Sequence, residues 1–370
     1  MSAADLPDPN QVDGAPHPRD TPRLIGQSRA EVVFLEAFTT GRLHHGWLLT
    51  GPRGIGKATL AWRIARFLLA TPQDDGGMFG APPAPDTLDI APDHPIARRI
   101  TAQSEPGVFL LKRGPNDRES ALSADIRVGE VRKLKSFLHL SAAEGGRRVV
   151  IVDAADDMNP NAANALLKLL EEPPSGVTFL LIAHQPAGLL PTIRSRCREL
   201  RLNTLGADDM AAALAQAGAE TDNPAALAAL AGGSVGEAIR LTNLDGLAQY
   251  ARLVTLMDSL PRLDRPRALA LADQTTGKGN EAKFDLTLGL IELFLARLAR
   301  AGAAGPTLPE AAPGEAALLA RLAPGPGHAR HWANLHQRLG ARARHGRAVN
   351  LDPAALVMDM VLEINEAASA

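Results

Sequence analysis

The segment GPRGIGKAT, residues 51–59, has the residue types and spacing of a phosphate-binding loop. Glycines at these positions let consecutive backbone N–H groups turn towards a phosphate, and the lysine ammonium reaches the outer phosphates of a nucleotide. The position that would carry a magnesium-binding hydroxyl is Ala58. Thr59 lies one residue later, where helical geometry turns its hydroxyl away from the metal. The segment therefore predicts a phosphate cradle that lacks one of its metal ligands.

A second part of the same chemistry is expected at the end of the apolar run VVIV, where Asp153 stands. Phosphoryl transfer needs a metal-binding Asp at this place and a further residue that orients the attacking water. The next residue is Ala154, where an active ATPase of the AAA+ type would carry Glu. We therefore predict no turnover, while ATP or ADP binding without hydrolysis stays open. The residues predicted to form this degenerate nucleotide site are Gly51, Gly54, Gly56, Lys57, Thr59 and Asp153.

The elements around these residues are those that a phosphate loop requires. The apolar run WLLT precedes the glycine loop, and TLAWRIARFLLA, with helical spacing, follows it. Asn159 is expected to cap a helix with Pro160 at its first position, and Pro173 is expected to stop that helix. TFLLIAH reads as a further buried strand. Strands alternating with helices predict a doubly wound α/β domain with a mainly parallel sheet, ending near Leu202.

The sequence predicts an N-terminal tail, the sheet domain and then two helical domains. Residues 1–22, rich in Pro and Asp, are predicted to be a disordered tail. Residues 23–203 form the phosphate-loop domain, interrupted at 71–95 by a Pro/Gly-rich insert. A three-helix lid is predicted over 204–245 and a helical collar over 246–370.

Charge and composition restrict the function classes. The formal net charge of −2 gives no bulk attraction to nucleic acid or to an anionic membrane, so any DNA contact must be local or shared with partners. The single cysteine, Cys197, excludes internal disulfides and a multi-cysteine zinc site within one chain. No signal peptide and no 18-residue uncharged apolar run is found. We expect a cytoplasmic protein that makes no membrane contact.

Five segments spread from about residue 24 to residue 365 carry a resemblance to a known family. They are LLTGPRGIGKATLA, NAANALLKLLEEPPSGVTFLLIA, LLPTIRSRC, GGSVGEA and NLDPAALV. Their combination, above all LLEEPP with SRC, resembles the subunits of the bacterial DNA polymerase III clamp loader, an AAA+ family. The resemblance implies an AAA+ domain, a lid and a collar that joins a hetero-oligomeric ring of loader subunits. Through that ring, it implies contact with the sliding clamp and primer-template DNA.

The resemblance also implies roles for single residues. Arg196, in Ser195-Arg196-Cys197, would reach as an arginine finger into the nucleotide site of a neighbouring subunit. Gly236 stands where hydrolysing members carry an arginine that senses the γ-phosphate. Together with Ala58 and Ala154, it places the chain among the non-hydrolysing, delta-prime-type members. No required cofactor, no zinc and no enzymatic activity of its own are expected, since the polymerase activity belongs to the holoenzyme.

Other interpretations stay open at this point. Arg196 could be a surface arginine on a basic stretch, and the chain could be an active loader ATPase or, less favoured, a small-molecule kinase. His44, His45 and His184 have no accompanying metal-ligand spacing, which favours packing or capping roles. The basic segment HARHWANLHQRLGARARHGR could touch DNA, although a solvated helix face or an acidic neighbour is favoured.

Overall fold

The structure is a computed structural model that describes residues 8–9, 11–71, 84–116, 118, 121–140, 146–219, 221–277, 279–305 and 309–369. The helices are α1 Ser28–Thr39, α2 Lys57–Ala70, α3 Pro95–Thr101, α4 Val128–Leu140, α5 Pro160–Glu171, α6 Pro191–Arg194, α7 Ala207–Gln216, α8 Pro224–Ala231, α9 Val235–Asn243, α10 Gly246–Asp258, α11 Arg265–Asp273, α12 Glu281–Ala304, α13 Glu315–Leu322, α14 Pro326–Ala348 and α15 Pro353–Ser369. The strands are β1 Gly46–Thr50, β2 Val108–Leu111, β3 Arg148–Val152, β4 Val177–Ala183 and β5 Arg198–Arg201.

The five strands form one parallel sheet in the order β2-β3-β4-β1-β5. All residues of β1, β3 and β4 are buried, as expected for central strands covered by helices on both faces. The carboxyl ends of these three strands meet at one edge of the sheet, where ligands of doubly wound sheets bind. The predicted α/β fold with a large helical region after the sheet is confirmed.

The helix predicted from LLKLLEE forms as its sequence signals require. Asn159 accepts a hydrogen bond from the backbone N–H of Ala162 at 2.9 Å, and Pro160 takes the first helical position. The helix ends at Glu171, two residues before Pro173. Leu166 and Leu170 on its inner face are buried in the core beside β3 and β4. Capping, proline placement and apolar spacing thus agree with one another.

Strands β2 and β5 and helix α3 are among the elements that the sequence analysis did not predict. β2 lies at the edge of the sheet and is only four residues long, and β5 reads Arg-Glu-Leu-Arg with one buried residue, Leu200. β5 lacks the apolar run that identified the central strands, because an edge strand is covered on fewer sides. β2 reads Val-Phe-Leu-Leu, so the sequence did carry an apolar signal for it. α3 begins at Pro95, where the predicted insert ends. Residues 72–83 of that insert lie outside the described residues.

The structure corrects the prediction of a disordered tail for residues 11–22. His17 is only 4% exposed and packs its ring edge-on against Trp62, with 6.2 Å between the ring centroids. Arg66 donates a hydrogen bond to the carbonyl of Arg19, and Asp8 forms an ion pair with Lys112 at 2.7 Å. A Pro/Asp-rich segment can therefore be held by side chains of the domain, which its composition does not reveal.

By its internal contacts the chain divides into two compact units. One comprises residues 1–218 with 234–236, and the other residues 219–233 with 237–370. The predicted edges at 203 and 245 do not coincide with this division, and the three-domain scheme stays a prediction. No helix within the described residues is long and apolar enough to cross a membrane.

The second unit contains a buried charge network that joins three of its helices. Arg297 of α12 pairs with Glu315 of α13 through two contacts of 2.6 and 2.9 Å, and both side chains are at most 4% exposed. The Tyr250 hydroxyl and the Ala311 N–H also donate to the Glu315 carboxylate, at 2.6 and 2.8 Å. A buried ion pair with all its hydrogen bonds satisfied is costly to break, because its remaining charge stays buried.

We expect Glu315→Ala to lower the free energy of unfolding by about 3–5 kcal/mol, since it leaves the Arg297 guanidinium buried without its partner. Urea unfolding followed by circular dichroism measures this, with the exposed Glu366→Ala as the matched control. Equal stability of the two variants would contradict the structural role of the network.

Candidate functional site

The phosphate loop lies at the carboxyl edge of the sheet, between β1 and α2. Gly51, Gly54 and Gly56 have φ angles of +136°, +77° and +100°, a region that residues with a side chain rarely adopt. The loop leads directly into the first turn of α2, whose unpaired N–H groups favour an anion. The sequence prediction of a strand, glycine loop and helix in this order is confirmed.

Lys57, the first residue of α2, is buried and turns back on its own loop. Its ammonium donates to the carbonyl of Gly51 at 2.6 Å and also to that of Pro52. Burial lowers its pKa to about 8, although the nearby carboxylates of Asp153 and Asp156 act in the opposite direction. The ammonium that would hold outer phosphates is therefore engaged by protein oxygens in this structure.

Asp153 follows β3 at the same edge of the sheet and is 8% exposed. Burial raises the pKa of its carboxyl to about 7, while the Lys57 ammonium lowers it and the carboxylate of Asp157 raises it further. Asp8 of the N-terminal segment also contributes to the rise. Lys57 and Asp153 thus lie near enough for their charges to interact, and burial disfavours the charged form of both side chains.

The structure adds two residues that the sequence did not identify as neighbours of the loop. Asp156 accepts hydrogen bonds from the backbone N–H groups of His184 and Gln185 and so fixes the turn after β4. Burial, with the charges of Lys57 and Arg53, lowers the pKa of His184 to about 4, which keeps the imidazole neutral at pH 7. The signal that could have found His184 is its place directly after an apolar central strand.

Residues 234–236 pack on the outer side of the phosphate loop. The Ser234 hydroxyl donates to the carbonyl of Arg53 at 2.8 Å, and the Gly236 N–H donates to the carbonyl of Gly54 at 3.0 Å. A Cβ atom on Gly236 would lie 3.0 Å from the Cα of Gly54. Any side chain at position 236 would therefore press on the loop backbone. Gly236, which the resemblance placed near the nucleotide site, is in direct contact with the loop.

Arg196 lies at the opposite, amino-terminal edge of the sheet. It follows the short helix α6 and precedes β5, and its carbonyl is beside Gly46 at the start of β1. The phosphate loop follows Thr50 at the far end of β1, about 13 Å further along the strand by the usual rise per residue. Arg196 is not brought together with Lys57, so a phosphate that it contacts would belong to another molecule.

The Arg196 guanidinium is held at the surface by two groups. It forms an ion pair with Glu171 at 2.9 Å and donates to the carbonyl of Thr192 at 2.9 Å. Its side chain remains 37% exposed. Arg196 is therefore oriented by the chain itself and accessible from outside.

The three histidines do not form one site. His44 and His45 stack at 4.3 Å between ring centroids at the start of β1, and His45 Nε2 donates to the carbonyl of Leu170 at 3.1 Å. Burial, then the neighbouring His44, lowers the pKa of His45. His184 lies at the other edge of the sheet. Among the residues that the structure describes, no three His, Cys, Asp or Glu side chains are placed to hold a metal ion.

Comparison with known proteins finds similarity to subunits of DNA polymerase III. Residues 26–206 match the family model described as DNA polymerase III, delta subunit. The DNA polymerase III subunit delta' of Pseudomonas aeruginosa is 40% identical over 214 residues, which cover 57% of this chain and 59% of that protein. Over about half of its length the chain is therefore similar to subunits of DNA polymerase III.

A relative with lower sequence identity is a different DNA polymerase III subunit. The DNA polymerase III subunit gamma of Buchnera aphidicola from Schizaphis graminum is 29% identical over 52% of this chain and 47% of its own length. Matched segments thus span about half the length of these two relatives. Among solved structures, a gamma subunit-related protein of Thermotoga maritima aligns with 90% of this chain and 99% of its own, at 18% identity and a TM-score of 0.39.

The raised pKa of Asp153 makes the stability of the chain depend on pH. Between pH 4 and about pH 7 the folded carboxyl keeps a proton that the unfolded chain releases, so the stability from this group falls as the pH rises through that range. Asp153→Asn cannot ionise. We expect its melting temperature, relative to the wild type, to rise by about 3 °C between pH 5 and pH 8. The exposed Asp273→Asn controls for the substitution itself, and a constant difference at Asp153 would contradict the burial effect.

The packing of residues 234–236 on the loop predicts that Gly54 cannot accept a side chain. A Cβ atom there would lie 2.4 Å from the Ser234 Oγ and 3.1 Å from the Gly236 backbone. Gly41 has a similar φ of +67° but no atom within 4 Å of such a Cβ. We expect Gly54→Ala to lower the free energy of unfolding by about 1–3 kcal/mol more than Gly41→Ala. Urea unfolding of both variants measures this, and equal losses would show that the contact is not made in solution.

Proposed function

We propose that the chain is a delta-prime-type subunit of the cytoplasmic DNA polymerase III clamp loader that hydrolyses no nucleotide itself. In this role it presents Arg196 to the nucleotide site of a neighbouring ATPase subunit. The observation that carries the proposal is the placement of Arg196 and the phosphate loop at opposite edges of one parallel sheet. An arginine in that place has no substrate within its own domain, whereas a ring of such domains supplies one.

The loop itself supports a silent site. The metal-binding hydroxyl is replaced by Ala58, and Ala154 follows the aspartate where a water-orienting carboxylate is needed. Gly236 brings no guanidinium, and residues 234–236 bond directly to the carbonyls of the loop. Magnesium, attacking water and γ-phosphate each lack the group that would position them. The proposed role requires no bound nucleotide and no zinc in this chain.

Arg196 has the chemistry that a neighbouring site needs. A phosphoryl group in transfer spreads negative charge over its oxygens, and a planar guanidinium matches that charge with several parallel N–H donors. The side chain is exposed and carries its own orienting contacts, so the neighbour has only to bring its nucleotide to it. The hydrolysis that results belongs to the neighbour, and the subunit contributes to it in trans.

The partners follow from this role. They are the other subunits of a hetero-oligomeric ring, namely the ATPase subunits and the subunit that opens the clamp. Sliding clamp and primer-template DNA are reached through the complex, in agreement with a net charge of −2 that gives this chain little attraction of its own for DNA. The C-terminal helical region is proposed to anchor the chain in the collar of the ring.

One observation favours a second candidate, an active loader ATPase. Lys57 and Asp153, the two charged residues of a working site, are present and lie together at the mouth of the loop. The kinase alternative has no such support, and the proteins that the chain resembles are DNA polymerase III subunits.

The test is ATP hydrolysis by the reconstituted loader in the presence of clamp and primed DNA. We expect Arg196→Ala to lower hydrolysis at the neighbouring site by about 10³-fold, because the developing charge loses its guanidinium. Lys57→Ala should leave the overall rate within about twofold, because its own site turns over nothing.

Arg194→Ala is the matched control, an exposed arginine that ends helix α6 two residues earlier. Gel filtration verifies that each variant assembles. A loss with Lys57→Ala and none with Arg196→Ala would establish the active ATPase instead.

A further inference from the structure

Glu171 is the carboxylate that faces Arg196, and its position is set independently of the pair. It is the last residue of α5, which ends before Pro173. Leu170 beside it is 1% exposed, and its carbonyl accepts the hydrogen bond from His45. The backbone that carries Glu171 is thus fixed by the core on one side and by the histidine on the other.

The backbone that carries Arg196 is fixed in a similar way. Ile193 is fully buried, and the Arg196 N–H donates to the Ile193 carbonyl at 3.1 Å. Cys197 packs against the buried core that includes α5. Two rigid supports therefore hold the ends of a long flexible side chain and its counter-ion at a defined separation, with 2.9 Å between Arg196 Nη2 and Glu171 Oε1.

The pair leaves most of the guanidinium available. A guanidinium has five N–H groups, and the contacts to Glu171 and to the Thr192 carbonyl occupy at most two of them. At least three remain for an incoming phosphoryl oxygen. Glu171 can therefore stay in contact while Arg196 binds the phosphoryl group, so the ion pair need not be broken first.

The exposure of the pair argues against a mainly structural role. Glu171 is 42% exposed and Arg196 37% exposed, and ion pairs with this degree of solvent contact add little to stability. The ion pair instead restricts the rotamers of the Arg196 side chain. This matters because a flexible side chain loses rotamer entropy whenever it is ordered on a ligand. Ordering the side chain in advance lowers that loss at the moment of phosphoryl transfer.

We propose that Glu171 is the positioning residue of the arginine finger, which holds the Arg196 guanidinium ready for the phosphoryl group of the neighbouring subunit. This inference rests on the proposed function. It assigns a task to a carboxylate of the LLEEPP segment that the phosphate-loop chemistry does not use.

The experiment uses the assembled loader, with clamp and primed DNA, and measures kcat and KM for ATP. We expect Glu171→Ala to lower kcat by about threefold to tenfold, less than Arg196→Ala, because the guanidinium is present but disordered. KM for ATP should not change, since the neighbour binds its nucleotide through its own loop. Glu171→Gln, which keeps an oxygen for the guanidinium, should recover part of the loss.

Glu172→Ala is the matched control, because it removes the same charge one residue later from an exposed side chain. The melting temperature of the isolated subunit should be unchanged in Glu171→Ala, Glu171→Gln and Glu172→Ala. If Arg196→Ala lowers kcat and Glu171→Ala does not, the inference is wrong and the proposed function stands. An equal loss with Glu172→Ala would also overturn it, since that is a general charge effect. No loss with Arg196→Ala would overturn the proposed function and this inference together.

Discussion

A parallel sheet has two edges that differ in kind, and the function proposed for this chain depends on that difference. Every strand of the sheet runs in the same direction, so the loops that follow β1, β3 and β4 all emerge at one edge. Phosphate loop, Asp153 and His184 meet there. The segments that precede the strands emerge at the other edge, and Arg196 is among them. In the proposed function, a domain with this topology has its own phosphate loop at one edge of the sheet. At the opposite edge it presents an arginine to the phosphate loop of another subunit.

At the carboxyl edge of the sheet, contacts within the chain hold the two charged residues Lys57 and Asp153. Lys57 and Asp153 are both buried, and each moves the pKa of the other towards the charged form while burial acts against it. Removing one alone would leave the other as a buried charge with less compensation. Lys57 also uses two of its three ammonium N–H groups on carbonyls of the loop. Its ammonium thus has a structural task that does not require a phosphate.

How much of this was predictable varied with the physical origin of each feature. The central strands, the cap at Asn159 and the proline at the end of α5 were found from the sequence, because apolar runs and capping residues act locally. β5 was missed because an edge strand needs few apolar residues, whereas β2 was missed although its run VFLL is apolar. The N-terminal segment was misjudged because its order comes from partners such as Trp62 and Lys112, distant in sequence.

The residues with a proposed function also differ in whether the sequence or the structure identified them. Lys57 and Asp153 were predicted from motifs whose spacing encodes their chemistry, and Arg196 was predicted from the resemblance to clamp-loader subunits. No sequence signal indicated a role for Glu171, which is one residue of a helix with an apolar stripe. Its distance from Arg196 depends on how α5 and α6 pack at the start of β1. A side chain that acts through another needs no motif of its own. Its role follows from geometry that two separate helices create, and a structure is the first place where such a residue can be found.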